Sequence, residues 1–258
     1  METAFRAFVA ALFGLAFGSF LTVVVDRVPN KGSIVRPRSR CPGCGTPIAP
    51  RDNIPVLSYL LLRGRCRTCG MRIPARYPLL ELATAAAFAG TAAVWTSPYL
   101  IVLLCAFCAV MLAVAAIDLE RRIIPNRITY PSFVAFAALI ALGWAFGQEL
   151  NPAGAVIGAL AYGGFFLVIA LIAPGGMGMG DVKLTGLIGL VLGALGLRYV
   201  AVAAGIAILL GGIAGLGALA AGRGRKGAIP FGPSLAAGAI AAVLVGERLA
   251  SWYLGSVT

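Results

Sequence analysis

The sequence contains no histidine among its 258 residues. This absence excludes catalysis by a serine or cysteine nucleophile with a histidine base, and it also excludes a catalytic zinc ion held by histidines. Acidic side chains are scarce too, because Asp and Glu together number nine. Acid–base chemistry in this protein must therefore be carried by a small set of carboxylates.

Charged residues make up 12% of the chain and hydrophobic residues 60%, whereas soluble domains have ~25% charged residues. This composition predicts an all-α polytopic membrane protein. Apolar runs of ~17–25 residues predict transmembrane helices, and we expect about eight, of which the sixth and eighth are short. The predicted spans are Phe5–Val25, Pro78–Trp95, Pro98–Ile117, Ile128–Phe146, Pro152–Ala173, Val182–Leu197, Val200–Ala221 and Phe231–Val245. The first is expected to be a retained anchor, because it is longer than a signal-peptide core of ~7–15 residues.

The formal net charge of +12 is unevenly distributed. Residues 26–77 contain eleven Lys or Arg and two Asp, and the connections after the third, fifth and seventh spans are also basic. The connections after the second and fourth spans have no Lys or Arg, and that after the sixth has Arg198 alone. Because basic loops remain in the cytoplasm, we expect both termini outside and the basic loops inside. The long basic loop lacks interleaved aromatic residues, so we assign its charge to lipid headgroups and topology and expect no nucleic-acid partner.

Two C-x2-C pairs lie in that loop, formed by Cys41, Cys44, Cys66 and Cys69. Adjacent glycines allow tight turns that can direct both thiolates of a pair at one metal ion, so the pairs predict a tetrahedral zinc site. A redox pair or an iron site is the alternative. Four thiolates leave no open position for water, which predicts a structural ion that helps the loop to fold. The other two cysteines, within the third span, are interpreted as packing residues.

Two carboxylates combine the end of an apolar run with a turn motif. Asp118 ends the third span, and Asp181 follows a Gly-Met-Gly turn before the sixth. Two aspartates from separate helices can activate water and share a proton, as in an aspartic protease, so we predict a catalytic dyad on the cytoplasmic side. The helix dipole favours a charge at Asp181 and disfavours one at Asp118, which assigns the base to Asp181 and the proton to Asp118. Alternatively, these two aspartates are unrelated residues that cap their helices or form ion pairs with Arg121 and Lys183.

Glycines and prolines surround this pair of aspartates. Gly175, Gly176, Gly178 and Gly180 lie in the turn before the sixth span, and Pro230, Phe231, Gly232 and Pro233 open the eighth. Glycine gives a turn conformational freedom and lets a peptide approach the backbone closely. We therefore predict a substrate groove lined by Gly178, Gly180, Pro230, Phe231 and Gly232, although proline at a helix start is also an ordinary feature.

The ordered series of motifs resembles that of bacterial type IV prepilin peptidases, within the G-x-G-D class of membrane aspartic proteases. The matching segments are 17–21, both cysteine pairs, 52–59, 63–66, 76–81, Asp118 with 124–126, 178–181 with Lys183, and 229–233. The resemblance implies cleavage of prepilins or pseudopilins after the glycine that ends a short basic leader. It also implies a multi-pass protein of the bacterial inner membrane that works at the cytoplasmic face.

Many proteins of this family also methylate the newly exposed N-terminal residue with S-adenosylmethionine. The resemblance connects that activity with the cysteine loop, and Arg76 and Glu81 at the start of the second span are candidates for binding the methyl donor. The expected organisation is a first transmembrane helix (1–25), a zinc-binding loop (26–77) and a seven-helix peptidase domain (78–258). The alternatives are a peptidase without methyl transfer, a peptidase for flagellin-like precursors, and a proton or cation transporter or scaffold with a zinc loop.

Overall fold

A computed structural model describes residues 1–172, 177–221 and 230–255, which include every predicted site residue. The described residues contain helices and no strand. The helices are α1 (Glu2–Arg27), α2 (Leu57–Leu61), α3 (Arg76–Val94), α4 (Pro98–Arg121), α5 (Asn126–Ala145), α6 (Pro152–Ile172), α7 (Met179–Leu195), α8 (Leu197–Ala220) and α9 (Gly232–Gly255). The motif residues Gly175, Gly176 and Ile229 lie outside the described part. The chain divides into two compact units, Met1–Thr96 and Ser97–Thr258.

The all-α membrane architecture is confirmed, and eight of the described helices follow the eight predicted spans. Seven of the described helices are long and apolar enough to cross a membrane. The predicted sixth span corresponds to α7, which has 17 residues and is therefore only ~25 Å long. Twelve of its residues are buried, so neighbouring helices surround α7 over most of its length.

The first unit is built on the antiparallel pair α1 and α3. Two glycines of α1 allow the backbones to touch, because a Cβ atom at Gly14 would lie 2.6 Å from the Cα of Ala85 and one at Gly18 would lie 2.6 Å from the Cα of Glu81. The opposite face of α1 exposes large apolar side chains such as Phe13, as expected of a helix in lipid. The pair brings the end of α1 next to the start of α3, where the cysteine loop leaves and returns.

Glycines also set the closest helix contact in the second unit, between α6 and α7. A Cβ atom at Gly158 would collide with the carbonyl oxygen of Gly189 and lie 3.0 Å from the Cα of Gly193. Such close approach lets dispersion forces hold helices together in lipid, where the hydrophobic effect does not. This contact fixes α7, and with it Asp181, in the centre of the unit.

The predicted eighth span ended at Val245, but α9 continues to Gly255. The prediction stopped before the charged side chains of Glu247 and Arg248. In the structure the Glu247 carboxylate accepts hydrogen bonds from Arg198 (2.8 Å) and from the Tyr199 hydroxyl (2.8 Å). This ion pair compensates the charge of Glu247 within the helix. It also neutralises Arg198, the one basic residue in the connections that the charge distribution predicts to lie outside.

Candidate active sites

Asp118 lies in the last turn of α4 and is held by the first residue of α9. Asp118 is 5% exposed, and its Oδ2 atom accepts a hydrogen bond of 2.9 Å from the backbone N–H of Gly232. A Cβ atom at Gly232 would lie 2.7 Å from that oxygen and 3.0 Å from Cγ. Only glycine therefore leaves room for the carboxyl group in this position. Helix α4 ends immediately afterwards, because Arg122 adopts a left-handed conformation (φ 56°).

Asp181 lies in the first turn of α7 and is half-buried. The Cβ position of Gly178 is 3.2 Å from Asp181 Oδ2, and that of Gly180 is 2.9 Å from the Cβ atom of Ile124. Gly178 has φ −79° and ψ 142°, an extended conformation open to any residue. These glycines therefore provide close approach, and the conformational freedom expected from the sequence is not used at Gly178.

Lys183, two residues after Asp181, has Asn126 as its hydrogen-bond partner. Lys183 Nζ donates a 3.0 Å hydrogen bond to Asn126 Oδ1 and lies 5.0 Å from the centre of the Tyr130 ring. Within the described ranges, neither Asp118 nor Asp181 forms an ion pair. The alternative in which these aspartates pair with Arg121 and Lys183 thus has no contact to support it.

The two aspartates belong to the same unit, and Ile124, which follows the end of α4, contacts Gly180, the residue before Asp181. The predicted groove residue Phe231 directly precedes Gly232, whose N–H binds Asp118. Its half-buried ring is 5.9 Å from that of Phe166 on α6, and it packs against Gly211 on α8. Pro230 precedes it and is also partly exposed. These residues border the end of α4 that carries Asp118.

The four loop cysteines come together as the sequence predicts. Their Sγ atoms all lie within 4.8 Å of one another, and the Cys41 and Cys69 sulfurs are 3.7 Å apart. A tetrahedral ion with Zn–S bonds of ~2.3 Å requires S···S distances of about 3.8 Å, so the cluster fits zinc. All six cysteines lie among the described residues and are free of disulfides.

The two halves of the cluster repeat one turn. The N–H of Cys41 donates to the carbonyl of Thr46 (3.0 Å), and that of Cys66 donates to the carbonyl of Met71 (2.8 Å). Gly45 and Gly70 close the turns with φ values of 70° and 71°, a region where glycine is unstrained. Backbone N–H groups of Cys69 and Thr68 point at the Cys66 sulfur and lower the pKa of this thiol to about 6. A thiol that ionises easily is a better metal ligand.

A cavity of about 460 Å³ lies in the first unit, between the end of α1, the cysteine loop and the start of α3. This volume is within the ~300–1,000 Å³ range of small-molecule sites. The cavity wall includes Arg76 and Glu81, the two residues proposed from the sequence for the methyl donor, and also Cys41 and Cys66. The cysteine cluster therefore forms part of the wall.

Sequence reasoning missed several residues of this cavity. The Asp26 carboxylate accepts hydrogen bonds from Arg76 (2.9 Å) and from the Tyr77 hydroxyl (2.7 Å). Glu81 Oε2 accepts one of 2.7 Å from the backbone N–H of Val56, and Val56 has a positive φ of 59°. A β-branched residue with positive φ is a strained arrangement that is typical of functional sites. No local motif marks these contacts, because the partners of Asp26 and Glu81 lie far away in the sequence.

Two family models match the chain. Residues 12–95 match the bacterial peptidase A24 N-terminal domain, and residues 105–216 match the type IV leader peptidase family. A prepilin leader peptidase/N-methyltransferase of Bacillus subtilis (strain 168) is 37% identical over 248 residues, covering 94% of this chain and 96% of the relative. One of Burkholderia pseudomallei (strain 1026b) is 36% identical, covering 95% and 87% of the two chains.

A third relative is a type 4 prepilin-like proteins leader peptide-processing enzyme of Escherichia coli O78:H11, which is 36% identical and covers 91% of this chain and 92% of its own. No solved structure matches significantly. Similarity of this extent along nearly the whole chain, together with matches to both family domains, shows that the chain belongs to the type IV leader peptidase family.

Proposed function

We propose that this protein removes the leader peptide of type IV prepilins or pseudopilins with an aspartate dyad and methylates the new N-terminus. The relatives of Bacillus subtilis and Burkholderia pseudomallei carry both activities in their names. The observations on which the proposal chiefly depends are that Asp118 and Asp181 lie in one unit, that the N-terminus of α9 binds Asp118, and that the start of α7 packs on Ile124 beside the end of α4. A chain without histidine has few other ways to activate water for peptide hydrolysis.

In the proposed cleavage, Asp181 acts as the base on water and Asp118 carries the proton that polarises the scissile carbonyl. Asp118 is the more deeply buried of the two, and burial favours an uncharged carboxylic acid. Its Oδ2 atom is occupied by the Gly232 N–H, which leaves Oδ1 free to hold the proton and direct it at the substrate. Because the two carboxyl groups titrate as a coupled pair, this assignment of base and proton carrier describes one protonation state of the dyad, the one before substrate binds.

The substrate groove is proposed to run beside this pair. Gly178 and Gly180 keep the start of α7 narrow, and Pro230, Phe231 and Gly232 form the facing wall. Phe231 is held by Phe166 at 5.9 Å, so its ring is a fixed apolar surface for the hydrophobic segment that follows the leader. This groove places an extended peptide across the ends of α4 and α7.

The methyl donor, S-adenosylmethionine, is proposed to bind in the 460 Å³ cavity of the first unit. Its wall combines apolar side chains with a few charged groups, including Arg76 and Glu81, as is usual for cofactor sites. When bound, the donor supplies the methyl group, and the cavity residues hold it in place. Cys41, Cys44, Cys66 and Cys69 would hold a structural zinc ion that gives the wall its shape.

The protein is expected in the bacterial inner membrane with both sites at the cytoplasmic face. The basic loop and Arg121, Arg122, Arg127 and Lys183 support this orientation through the positive-inside rule. The outer connections carry Arg198 alone, and this residue is paired with Glu247. We assign donor binding to residues 26–77 with the adjoining helices, and peptide cleavage to the helices after Ser97.

The dyad is tested by replacing Asp118, Asp181 or both with Asn in the purified protein. Each single change should lower the rate of prepilin cleavage on the order of 1,000-fold or more, and the double change should cost little extra because the residues act as a unit. Glu120→Gln, which alters an exposed carboxylate two residues from Asp118, is the control and should cleave normally. Mass spectrometry of the product reads out both cleavage and methylation. Near-normal cleavage by either Asn variant would rule out the dyad.

A further inference from the structure

Three carboxylates line the cavity of the first unit: Asp26, Asp52 and Glu81. Two of them are paired with an arginine. Arg76 lies 2.9 Å from Asp26 Oδ1, and Arg67 lies 2.7 Å from Asp52 Oδ1. Glu81 differs, because no Lys or Arg lies within ion-pair distance of it anywhere in the described residues.

The partners of Glu81 are electrically neutral. Its Oε2 atom accepts the Val56 N–H at 2.7 Å, and Ser19, which is uncharged, also lines the cavity. The residue is 8% exposed, and Gly18 presses against its Cα atom, so it has little freedom to turn towards water. A nearly buried carboxylate costs free energy unless a positive group compensates it. The structure provides the fixed carboxylate and the space beside it, without the cation.

The rest of the wall makes Glu81 the one place in the cavity for a positive ligand group. Five arginines line it, namely Arg27, Arg40, Arg67, Arg72 and Arg76. They repel a cation, and the two aspartates that could attract one are already paired. A ligand that carries a positive centre gains electrostatic energy only where it approaches Glu81.

We propose that Glu81 is the counter-ion for the sulfonium of the methyl donor and gives the site its preference for the charged donor over the demethylated, uncharged thioether. This inference rests on the proposed donor site. S-Adenosylmethionine and S-adenosylhomocysteine share the adenosine, the amino group and the carboxylate, and they differ in the methyl group and the charge on sulfur. A carboxylate beside the sulfur binds the first and gains nothing from the second. Glu81 thereby favours release of the spent donor.

The test is the equilibrium affinity of the detergent-purified full chain for these two ligands, measured by titration calorimetry without substrate. Wild-type protein should prefer S-adenosylmethionine by about tenfold or more, the size expected of a close charge pair. Glu81→Gln keeps the size of the side chain and an oxygen for the Val56 N–H. It should remove the preference while its affinity for S-adenosylhomocysteine stays within about twofold of wild type. Glu81→Asp keeps the charge and should retain a preference for the charged donor.

An unchanged preference in Glu81→Gln would overturn the inference. Equal loss of both ligands in Glu81→Gln would also overturn it, because it would assign Glu81 to the amino group that the two ligands share or to the structure of the site. Equal binding of both ligands by wild type would remove the inference and leave the donor site standing. Thr22→Trp, which fills the cavity from α1, should abolish binding of both ligands. Undiminished binding by this variant would instead remove the proposed site.

Discussion

At the scale of single residues, the peptidase site depends on a glycine as much as on its aspartates. Gly232 combines two functions: its N–H holds Asp118 Oδ2 at 2.9 Å, and its missing side chain leaves the space that the carboxyl group fills. Any residue except proline could donate this backbone N–H. Only glycine leaves this space for the carboxyl group.

Gly232→Ala should therefore disable cleavage without unfolding the protein. The new methyl group would displace the Asp118 carboxyl, and a displacement of this kind can lower a catalytic rate on the order of 100-fold. Gly212→Ala is the matched control, because a Cβ atom at Gly212 meets nothing within 4 Å. Initial cleavage rates and thermal melting curves of both variants check this prediction. A Gly232→Ala protein that cleaves as fast as the control would contradict the role assigned to this glycine.

The residue types of the candidate sites were predictable from the sequence, but several of their contacts were not. The C-x2-C pairs are local motifs, and each half of the four-cysteine cluster is one turn, so the sequence contains all four candidate ligands. The Gly232–Asp118 contact joins residues 114 positions apart, and no spacing rule reports it. The same holds for Glu81 and Val56. Chemistry that depends on packing between distant segments needs the fold.

At the scale of helices and loops, apolar runs predicted where each long helix lies but not always where it ends. α9 extends past the predicted boundary because Arg198 and Tyr199 satisfy Glu247. The apolar run predicted that α7 is short, but hydropathy cannot report that neighbouring helices enclose it, since its composition is that of a spanning helix. Its 17 residues are held by glycine contacts, which depend on the pairing partner as much as on α7 itself.

The α6–α7 contact gives a second prediction. Gly158→Ala should lower the stability of the second unit by about 1–3 kcal/mol, because the added methyl group overpacks a backbone contact. Gly164→Ala on the same helix is the control, since its Cβ position meets nothing within 4 Å; it should be neutral or slightly stabilising. Thermal melting in detergent measures both. If the two variants melt together, the close contact contributes nothing.

The cysteine loop gives a third prediction. Replacing Cys44 or Cys69 with Ser should reduce the metal content from about one zinc per chain, because three thiolates bind zinc more weakly than four. Loss of the ion should loosen the loop far more than it slows cleavage, since the aspartates lie in the second unit. Cys105→Ala in α4 should keep its zinc. Elemental analysis and limited proteolysis provide the measurements, and a metal-free wild type with an intact, protease-resistant loop would contradict the structural role.

At the scale of the whole molecule, the chain consists of two compact units with different chemical equipment. Met1–Thr96 contains the four-cysteine cluster and the cavity, and Ser97–Thr258 contains the two candidate catalytic aspartates. The division follows from helix pairing: α3 packs on α1 through Gly14 and Gly18, although a long loop separates them in sequence. If each unit performs one reaction, a change in one should leave the other reaction intact.

The most direct measurement of this separation uses Asp181→Asn with labelled S-adenosylmethionine and two substrates, an intact prepilin and a pilin already cut. We expect the variant to leave the prepilin uncut and unlabelled, and to label the cut pilin at close to the wild-type rate. Glu81→Gln should show the reverse pattern, with cleavage and little labelling. Failure of Asp181→Asn to label the cut pilin, while wild type does, would place both reactions in one site and contradict the assignment of methyl transfer to the first unit.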